Sequence, residues 1–390
     1  MDQKSILMIC YEYEGFHSKQ TTALVKRPRY IAEYFASIGY HVTVIFSANL
    51  NVSEEKEIGR GILRLEGIQF KFKPVLENRF LQKFRTIYYA YYKGDFSSAW
   101  AKKAQNRLEE KKIKYHSIIS FYTPRGPLYL GYLLAKQKPI PLVFDFQDPI
   151  YEGYQSEAGR KPLNHFYRKI SKINPQITCV SQEWAEELRQ FFNKVSHIPH
   201  AIENRISLED QTDKHKLVIF YYGSIDFNFQ NVGALLVFLS WAITHVPKLE
   251  IEFKFAGNED TYLELEGRLS VLVPVKYLGW LDKEQLMKEI STTDILCLLS
   301  WEVSERKGIP SKFYEYCRFD KPILILGEDA GGFEREFGKE FAKKYIDLKW
   351  SKEIKGKEDI ISRLFTPTPS FLEDYKVQSV GNQFETILNL

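Results

Sequence analysis

Short runs of apolar residues alternate along this chain with longer amphipathic stretches. Runs of this length, apolar on both faces, are typical of strands in a parallel sheet that helices cover. Such runs predict strands at 5–10, 41–46, 117–121, 141–146 and 176–180 in a first series, and at 216–223, 251–257, 275–279, 294–299 and 322–326 in a second. The alternation predicts α/β architecture with two doubly wound domains.

The length of the chain agrees with two domains. A chain of 390 residues is longer than a single core usually serves. The strand–helix rhythm stops in a polar segment and then restarts, which predicts a first domain at 1–203, a linker at 204–215 and a second domain at 216–370. Residues 371–390 predict a helix that either closes the second domain or crosses back to the first.

Local signals mark two further helices and one loop. The stretch 27–39 begins with Pro28 and ends at Gly39, as the two ends of a helix often do. Ser181 is a candidate N-cap for a helix over 181–192. The polar stretch 155–166 predicts a mobile loop.

Composition narrows the classes of partner and compartment. A net charge of only +4 argues against a nucleic-acid partner. Four cysteines lie far apart and mostly in apolar runs, which is typical of reduced, buried thiols in a cytoplasmic protein. No stretch approaches 18 apolar residues, so no membrane-spanning segment is predicted. No Cys/His spacing indicates a zinc site, and we expect no bound metal or other cofactor.

Residues 71–114 combine many basic side chains with interleaved aromatic ones, among them Tyr88, Tyr89, Tyr91 and Tyr92. One interpretation is an amphipathic helical pair with a solvated basic face. The other is contact with an anionic membrane surface, which uses basic residues and aromatic anchors together. The second interpretation predicts peripheral association at the inner face of a membrane.

The segment 307–326 carries the clearest candidate chemistry. Pro310 fits the first turn of a helix, which would leave the backbone N–H groups of Ser311, Lys312 and Phe313 available to an anion. Lys312 adds a positive charge, and Glu315 shares its helix face. A carboxylate there could accept hydrogen bonds from two vicinal ribose hydroxyls. The alternative is a capped helix in which Glu315 pairs with Lys312.

Glycines at other strand ends favour the ligand interpretation. Gly223, Gly257 and Gly279 each follow a predicted strand of the second domain, and each gives the backbone room. In open α/β sheets, ligands bind at the carboxyl ends of the strands. The segment with Lys312 and Glu315 follows another strand of the same domain, so we expect one shared site.

The order of these segments resembles the GT-B glycosyltransferases, in particular the large family four of retaining enzymes. The matching segments are "YYGS", "FAG", "YLGWLDKEQLMKEISTTDILCLLS" and "GIPSKFYEYCRFDKPIL" in the second half. In the first half they are the Gly15 loop, "RPRYIAEYFASIGYHVTVIF" and "ITCVSQEWAEELRQFFNKVSHIPHAIEN". The resemblance covers nearly the whole chain and implies two Rossmann-like domains that face each other across a cleft.

The resemblance also implies a reaction: transfer of a sugar from a nucleotide diphosphate sugar to an acceptor hydroxyl on a glycan or a lipid-linked glycan, with retention. It makes Asp148 and Glu315 the catalytic candidates and places Gly15 and His17 on the acceptor side. The donor-binding candidates are Gly223, Ser224, Gly257, Gly279, Trp280, Lys307, Gly308, Ile309, Pro310, Ser311, Lys312 and Glu315.

One departure from the family pattern, and the range of functions that one fold can carry, leave alternatives open. The family often has two glutamates with seven residues between them; Glu315 fits the second, and Lys307 occupies the place of the first. This substitution motivates the interpretation of a degenerate GT-B subunit that binds a partner. A sugar-nucleotide epimerase or hydrolase on the same fold is the other alternative, and Asp148 with His200 would supply its acid/base pair. Asp148 followed by Pro149 is also compatible with a turn or a helix cap.

Overall fold

The computed structural model describes residues 4–14, 16, 23–70, 79–151, 156–213, 215–230, 232–300, 308–327, 332–345 and 356–388. The chain divides into two compact units. The first unit is Met1–Ala201 together with Val377–Leu390, and the second is Ile202–Lys376. Each unit is described by itself below.

The described part of the first unit forms an eight-stranded sheet. Its strands are β1 (Ser5–Ile9), β2 (His41–Ala48), β3 (Val52–Ile58), β4 (Gly61–Gln69), β5 (Ser117–Tyr122), β6 (Leu142–Phe146), β7 (Gln176–Cys179) and β8 (Val195–His197). The spatial order is β3-β4-β2-β1-β5-β6-β7-β8, and the pairs are parallel except β3 with β4. The central strands are buried along most of their length, as the apolar runs predicted.

Helices cover this sheet. They are α1 (Ala23–Ser37), α2 (Arg79–Tyr92), α3 (Ser98–Glu110), α4 (Gly126–Gln137), α5 (Glu157–Ile170), α6 (Gln182–Leu188) and, from the end of the chain, α15 (Val377–Leu388). The prediction of a loop at 155–166 is wrong, because α5 occupies most of it. Ser156 accepts a hydrogen bond from the Gly159 N–H and so caps this helix, whose apolar side is buried.

Helix α1 is fixed by a buried ion pair. Arg27 contacts both oxygens of Asp145, at 2.8 and 3.0 Å, and neither side chain is exposed. The guanidinium also donates to the carbonyls of Ile198 and Pro199. The prediction that Pro28 starts the helix is wrong, since α1 already includes Ala23. Pro28 loses one helical hydrogen bond there, and the hydrogen bonds of the adjacent Arg27 hold this turn of the helix in place.

The last helix, α15, packs against α1. The Tyr34 hydroxyl donates to Asn382 at 2.6 Å, and the Tyr40 hydroxyl donates to Glu385 at 3.0 Å. A side chain at Gly381 would meet the Tyr34 ring at 2.4 Å, so this glycine permits the close approach. The tail predicted as a single helix forms two, because a short helix over Pro369–Asp374 ends before Val377.

The second unit is built around a five-stranded parallel sheet. Its strands are β9 (Lys216–Tyr222), β10 (Glu250–Ala256), β11 (Val275–Tyr277), β12 (Ile295–Leu299) and β13 (Ile323–Leu326), in the spatial order β11-β10-β9-β12-β13. Its helices are α7 (Gly233–His245), α8 (Glu259–Leu269), α9 (Lys283–Ser291), α10 (Ser311–Tyr316), α11 (Gly332–Phe337), α12 (Lys339–Tyr345), α13 (Lys357–Ile361) and α14 (Pro369–Asp374). These strands are the five predicted for the second domain, with ends shifted by one or two residues.

The segment predicted as a linker is attached to the second unit. Lys321 donates to Asp210 at 2.9 Å, and Lys357 donates to the carbonyl of Asp213 at 2.5 Å. Lys357 also pairs with the buried Asp294 at 2.6 Å. Asp210, Asp294, Lys321 and Lys357 line a cavity of about 420 Å³ at the amino ends of β12 and β13, the edge opposite to the predicted ligand site.

Candidate active site

Three glycine segments lie side by side at the carboxyl edge of the second sheet. Gly223 follows β9 directly, Gly257 follows β10, and Gly279 lies two residues beyond β11. The Gly223 N–H donates to the Ala256 carbonyl at 2.8 Å, and the Gly257 N–H donates to the Gly279 carbonyl at 2.9 Å. These two N–H groups are therefore used within the sheet. The glycines contribute space at this edge instead of donors.

Lys312 reaches this edge from α10. Its ammonium donates to the Tyr221 hydroxyl at 3.0 Å and lies 4.2 Å from the centroid of the Tyr221 ring. The Tyr221 hydroxyl in turn donates to the Ser224 carbonyl at 2.8 Å. A side chain at Gly223 would come within 2.6 Å of the Lys312 Nζ atom, and the φ of Gly223 is +107°. The positive φ favours glycine at 223, and a larger residue would also displace the Lys312 ammonium.

The start of α10 differs from the prediction. Pro310 lies one residue before the helix instead of in its first turn, and the helix is six residues long. The N–H of Phe313, predicted to be available to an anion, donates to the Pro310 carbonyl at 2.9 Å. A helix this short has little macrodipole, so the charge of Lys312 dominates the attraction for an anion here.

Glu315 lies on the same short helix, half-buried beside Tyr222. Burial raises the pKa of Tyr222 well above its usual value, and the nearby Glu315 carboxylate raises it further. Behind the helix, Phe313 fixes its position in a cluster of aromatic rings contributed by Phe333, Phe337, Phe341, Phe365 and Phe371. The site face of α10 therefore stands on a rigid apolar support.

The remaining donor-side candidates surround this edge. Ser224 is exposed, and the Trp280 indole is 52% exposed immediately after Gly279. Gly308, with a φ of +108°, precedes Ile309 and lies against Gly332, where a side chain would meet Gly308 backbone atoms at 3.0 Å. Lys307, Gly15 and His17 lie outside the described residues, so their predicted roles remain predictions.

Asp148 lies at the carboxyl edge of the first sheet, two residues after β6 ends. Within residues 142–150 it alone is not buried. The N–H of its neighbour Gln147 donates to the Tyr122 carbonyl at 3.2 Å. Asp148 is not a helix cap, since the residues directly after it, 149–151, are not helical. The residue is therefore partly exposed at the edge where ligands bind in α/β sheets.

His200 is unsuited to the acid/base role that the epimerase or hydrolase alternative gives it. The imidazole is buried, and burial together with the Arg27 guanidinium lowers its pKa to about 3. A histidine with this pKa is neutral at pH 7, so it has no proton to give as an acid and is a weak base.

Among the described residues, no group of three or more His, Cys, Asp or Glu side chains could hold a metal ion. All four cysteines are buried thiols, Cys10, Cys179, Cys297 and Cys317. Within the same part of the chain, no helix is both long enough and apolar enough to cross a membrane.

In the described part of the stretch 71–114, only some of the basic side chains are exposed. Residues 71–78 lie outside the described part, and α2 and α3 form the rest. Arg107 is used internally, since it contacts the buried Glu66 at 3.2 Å. On α2, Ile87 is 44% exposed, Tyr88 50% and Tyr92 52%. Lys93 lies over the Tyr88 ring, 5.5 Å from its centroid.

The chain is similar to known glycosyltransferases in sequence and in fold. Residues 27–205 match the family model described as Glycosyltransferase Family 4. The predicted resemblance to family-four glycosyltransferases is confirmed. No curated protein sequence matches the chain significantly.

Solved glycosyltransferase structures match over nearly the full length. The apo form of the lipopolysaccharide outer core galactosyltransferase WaaB has a TM-score of 0.55 at 12% identity, with 99% of both chains covered. Anabaena Alr3699/HepE in complex with UDP has a TM-score of 0.55 at 11% identity, with 100% of both chains covered. WaaG, a glycosyltransferase involved in lipopolysaccharide biosynthesis, has a TM-score of 0.50 at 13% identity and covers 98% of this chain and 95% of its own. The GT-B fold prediction, with two Rossmann-like domains, is therefore confirmed.

Proposed function

We propose that this family-four-like protein transfers a sugar from a nucleotide diphosphate sugar to an acceptor hydroxyl in the synthesis of a surface polysaccharide or related glycan. The observation that carries the proposal is the position of Lys312, held by Tyr221 beside Gly223 at the carboxyl edge of the second sheet. The UDP complex of HepE, which shares the fold, supports a nucleotide donor. The family-four match supports retention of the anomeric configuration.

We propose one orientation for the donor nucleotide at this edge. Its diphosphate lies at Lys312, near Ser311 and the space left by Gly223, where the ammonium offsets the charge of the leaving group. Its ribose lies at Glu315, one turn further along α10, and the exposed Trp280 indole offers a flat surface to the base. Asp148, in the first unit, contacts the transferred sugar or orients the acceptor hydroxyl. This chemistry relies on positioning and charge without a bound metal.

A panel of nucleotide diphosphate sugars tests this proposal. The donor should raise the melting temperature, and purified protein should then transfer its sugar to a glycan acceptor. Donor binding with no transfer to any acceptor would instead favour the degenerate binding subunit that the substitution at Lys307 suggested. Release of the free sugar in place of transfer would favour a hydrolase.

Replacing Glu315 with Ala should weaken nucleotide binding without unfolding the protein. The loss of a charged hydrogen-bond acceptor for the ribose should cost about 2 kcal/mol, which is roughly 30-fold in Kd. Calorimetry of the nucleoside diphosphate measures the loss. Glu284→Ala, at an exposed position on α9, is the matched control and should bind as the wild type does. Equal affinity in the Glu315 variant would remove Glu315 from the donor site.

We also propose that the protein acts in the cytoplasm and contacts the inner face of a membrane through α2 and α3. The exposed Ile87, Tyr88 and Tyr92 side chains supply the aromatic and apolar anchors. The exposed Lys102 and Lys103 on α3 supply charge. A lipid-linked acceptor would then be met at the bilayer surface.

Liposomes test the membrane contact. Vesicles of phosphatidylcholine with phosphatidylglycerol should bind the protein, and binding should weaken as salt rises, because each basic residue near an anionic surface contributes about 1 kcal/mol. Changing Lys83, Arg85, Lys102 and Lys103 to glutamate should abolish it. The same change at Lys248, Lys276, Lys283 and Lys288, in the second unit, is the charge-matched control. Binding that ignores salt and the first set of changes would contradict the contact.

A further inference from the structure

The loop that carries Asp148 is held by side chains from three different elements. Tyr122 is the last residue of β5, Arg125 precedes α4 directly, and Tyr167 lies within α5. All three side chains are buried. None of the three was a candidate in the sequence, where they are up to 45 residues apart.

Their hydrogen bonds end on the two carbonyl groups that follow Asp148. The Tyr122 hydroxyl donates to the Pro149 carbonyl at 3.3 Å. The Ile150 carbonyl accepts from Arg125 Nη2 at 3.1 Å and from the Tyr167 hydroxyl at 3.3 Å. On the other side, the Gln147 N–H is fixed to the Tyr122 carbonyl. The backbone is thus fixed by hydrogen bonds on both sides of Asp148, while residue 148 itself stays partly exposed.

Arg125 links the two tyrosines into one unit. Its Nε donates to the Tyr167 hydroxyl at 3.1 Å, and its Nη2 donates to the Tyr122 hydroxyl at 3.1 Å. Burial raises the pKa of both Tyr122 and Tyr167, so both hydroxyls stay protonated and keep their donor role towards the carbonyls. Asp95 accepts from the Arg125 backbone N–H at 2.8 Å and lies 3.8 Å from its guanidinium.

Burying Arg125 costs more free energy than a purely structural turn requires. A buried guanidinium loses its hydration, and that loss costs free energy even where hydrogen bonds replace the water. A reverse turn at a strand end normally needs only local hydrogen bonds. A rigid, cross-linked loop is instead what a carboxylate requires when its position decides a transfer rate.

We propose that Arg125, with Tyr122 and Tyr167, is the positioning group that fixes the loop at 147–150 and thereby places the Asp148 carboxylate for sugar transfer. The inference rests on the proposed function, because Asp148 acts on the sugar or the acceptor only if transfer occurs. Arg125 itself touches neither reactant. It acts through the backbone of the loop.

The double variant Tyr122→Phe/Tyr167→Phe tests the proposal, because it removes both hydroxyls and keeps both rings. We expect kcat to fall about tenfold while KM for the donor stays within about twofold. The matched control is Tyr34→Phe/Tyr40→Phe, which removes two hydroxyls that bond to α15 in the same unit. The control should keep the wild-type kcat.

A mutant cycle separates positioning from general stability. In an Asp148→Asn background, the Tyr122→Phe/Tyr167→Phe change should have little further effect on kcat, because both act through the same carboxylate. Arg125→Lys keeps the positive charge but loses the guanidinium that donates through two nitrogen atoms. We expect its kcat to fall while its KM for the sugar nucleotide stays unchanged. If the lysine variant does not fold, the tyrosine pair still decides. Additive losses in the cycle, or a wild-type kcat in the tyrosine pair, would overturn the proposal.

Hydrogen exchange supplies a readout that needs no turnover. Amides of the peptide spanning 147–151 should exchange faster in the Tyr122→Phe/Tyr167→Phe variant than in the wild type or the control variant. Unchanged exchange would show that the two hydroxyls do not hold the loop, and it would overturn the proposal. If wild-type protein transfers no sugar to any acceptor, the proposed function fails, and exchange at 147–151 still decides whether these side chains hold the loop.

Discussion

Replacing Asp148 with Asn should lower kcat about 100-fold and leave the affinity for the donor nucleotide within about twofold, because the side chain acts on the reacting groups alone. Asn has nearly the same shape, so the anchored loop at 147–150 should keep its place. Asp148 also belongs to the first unit, whereas the donor candidates from Gly223 to Glu315 belong to the second. Steady-state kinetics and calorimetry on one preparation measure the two effects separately.

The control for this change is Glu110→Gln, which neutralises an exposed carboxylate in the same unit. It should leave both kcat and donor affinity as in the wild type. Full activity in the Asp148 variant would reduce Asp148 to an ordinary turn residue. An equal loss of donor binding and turnover would also contradict the assignment, since it would place Asp148 at the nucleotide.

Strand positions could be predicted wherever apolar residues run together. All ten predicted strands are present, because a strand buried on both faces shows a continuous apolar run. β3 was missed because its sequence, VSEEKEI, is mostly charged and lies at a sheet edge, where charges discourage further pairing. β4 was missed because Arg64 and Glu66 interrupt its pattern. Glu66 is buried in β4, where Arg64 and Arg107 offset its charge.

Helix α5 shows how a polar sequence misleads. Gly159, Pro162 and several charged residues suggested a loop, and only the residues from Leu163 onward show an apolar face. The helix forms because Leu163, Phe166, Tyr167 and Ile170 bury that face against the sheet. Tertiary packing thus outweighs local propensity, which a sequence pattern alone cannot show.

Candidate site residues could be proposed from the sequence where the chemistry is local. Lys312 and Glu315 share one helix face, and the glycines follow recognisable strands, so spacing alone was informative. Tyr221 was missed because its hydrogen bond with Lys312 joins residues that are 91 positions apart in the sequence. Asp145 did carry a signal, since an acid inside an apolar strand needs a buried partner. That partner, Arg27, is 118 residues away and could not be identified before the fold was known.

Replacing Lys312 with Ala should weaken binding of a nucleoside diphosphate about 100-fold and binding of the corresponding nucleoside less than about threefold, because the diphosphate alone would lose a charged partner. The ammonium is the charge that α10 brings to the glycine edge, and Tyr221 already holds it in position. The diphosphate therefore gains a preordered cation, and its binding depends on that cation more than the nucleoside does.

Calorimetry with the two ligands reads this difference directly, and the ratio of the two losses is the decisive quantity. Lys248→Ala is the matched control, since Lys248 is exposed and lies before β10, at the opposite edge of the sheet. It should change neither affinity by more than about twofold, because a solvated charge at that distance is largely screened. Equal losses for nucleoside and nucleoside diphosphate in the Lys312 variant would mean that Lys312 supports the site without facing the phosphates. In that case the proposed orientation of the donor on α10 would be wrong, even if sugar transfer itself were demonstrated.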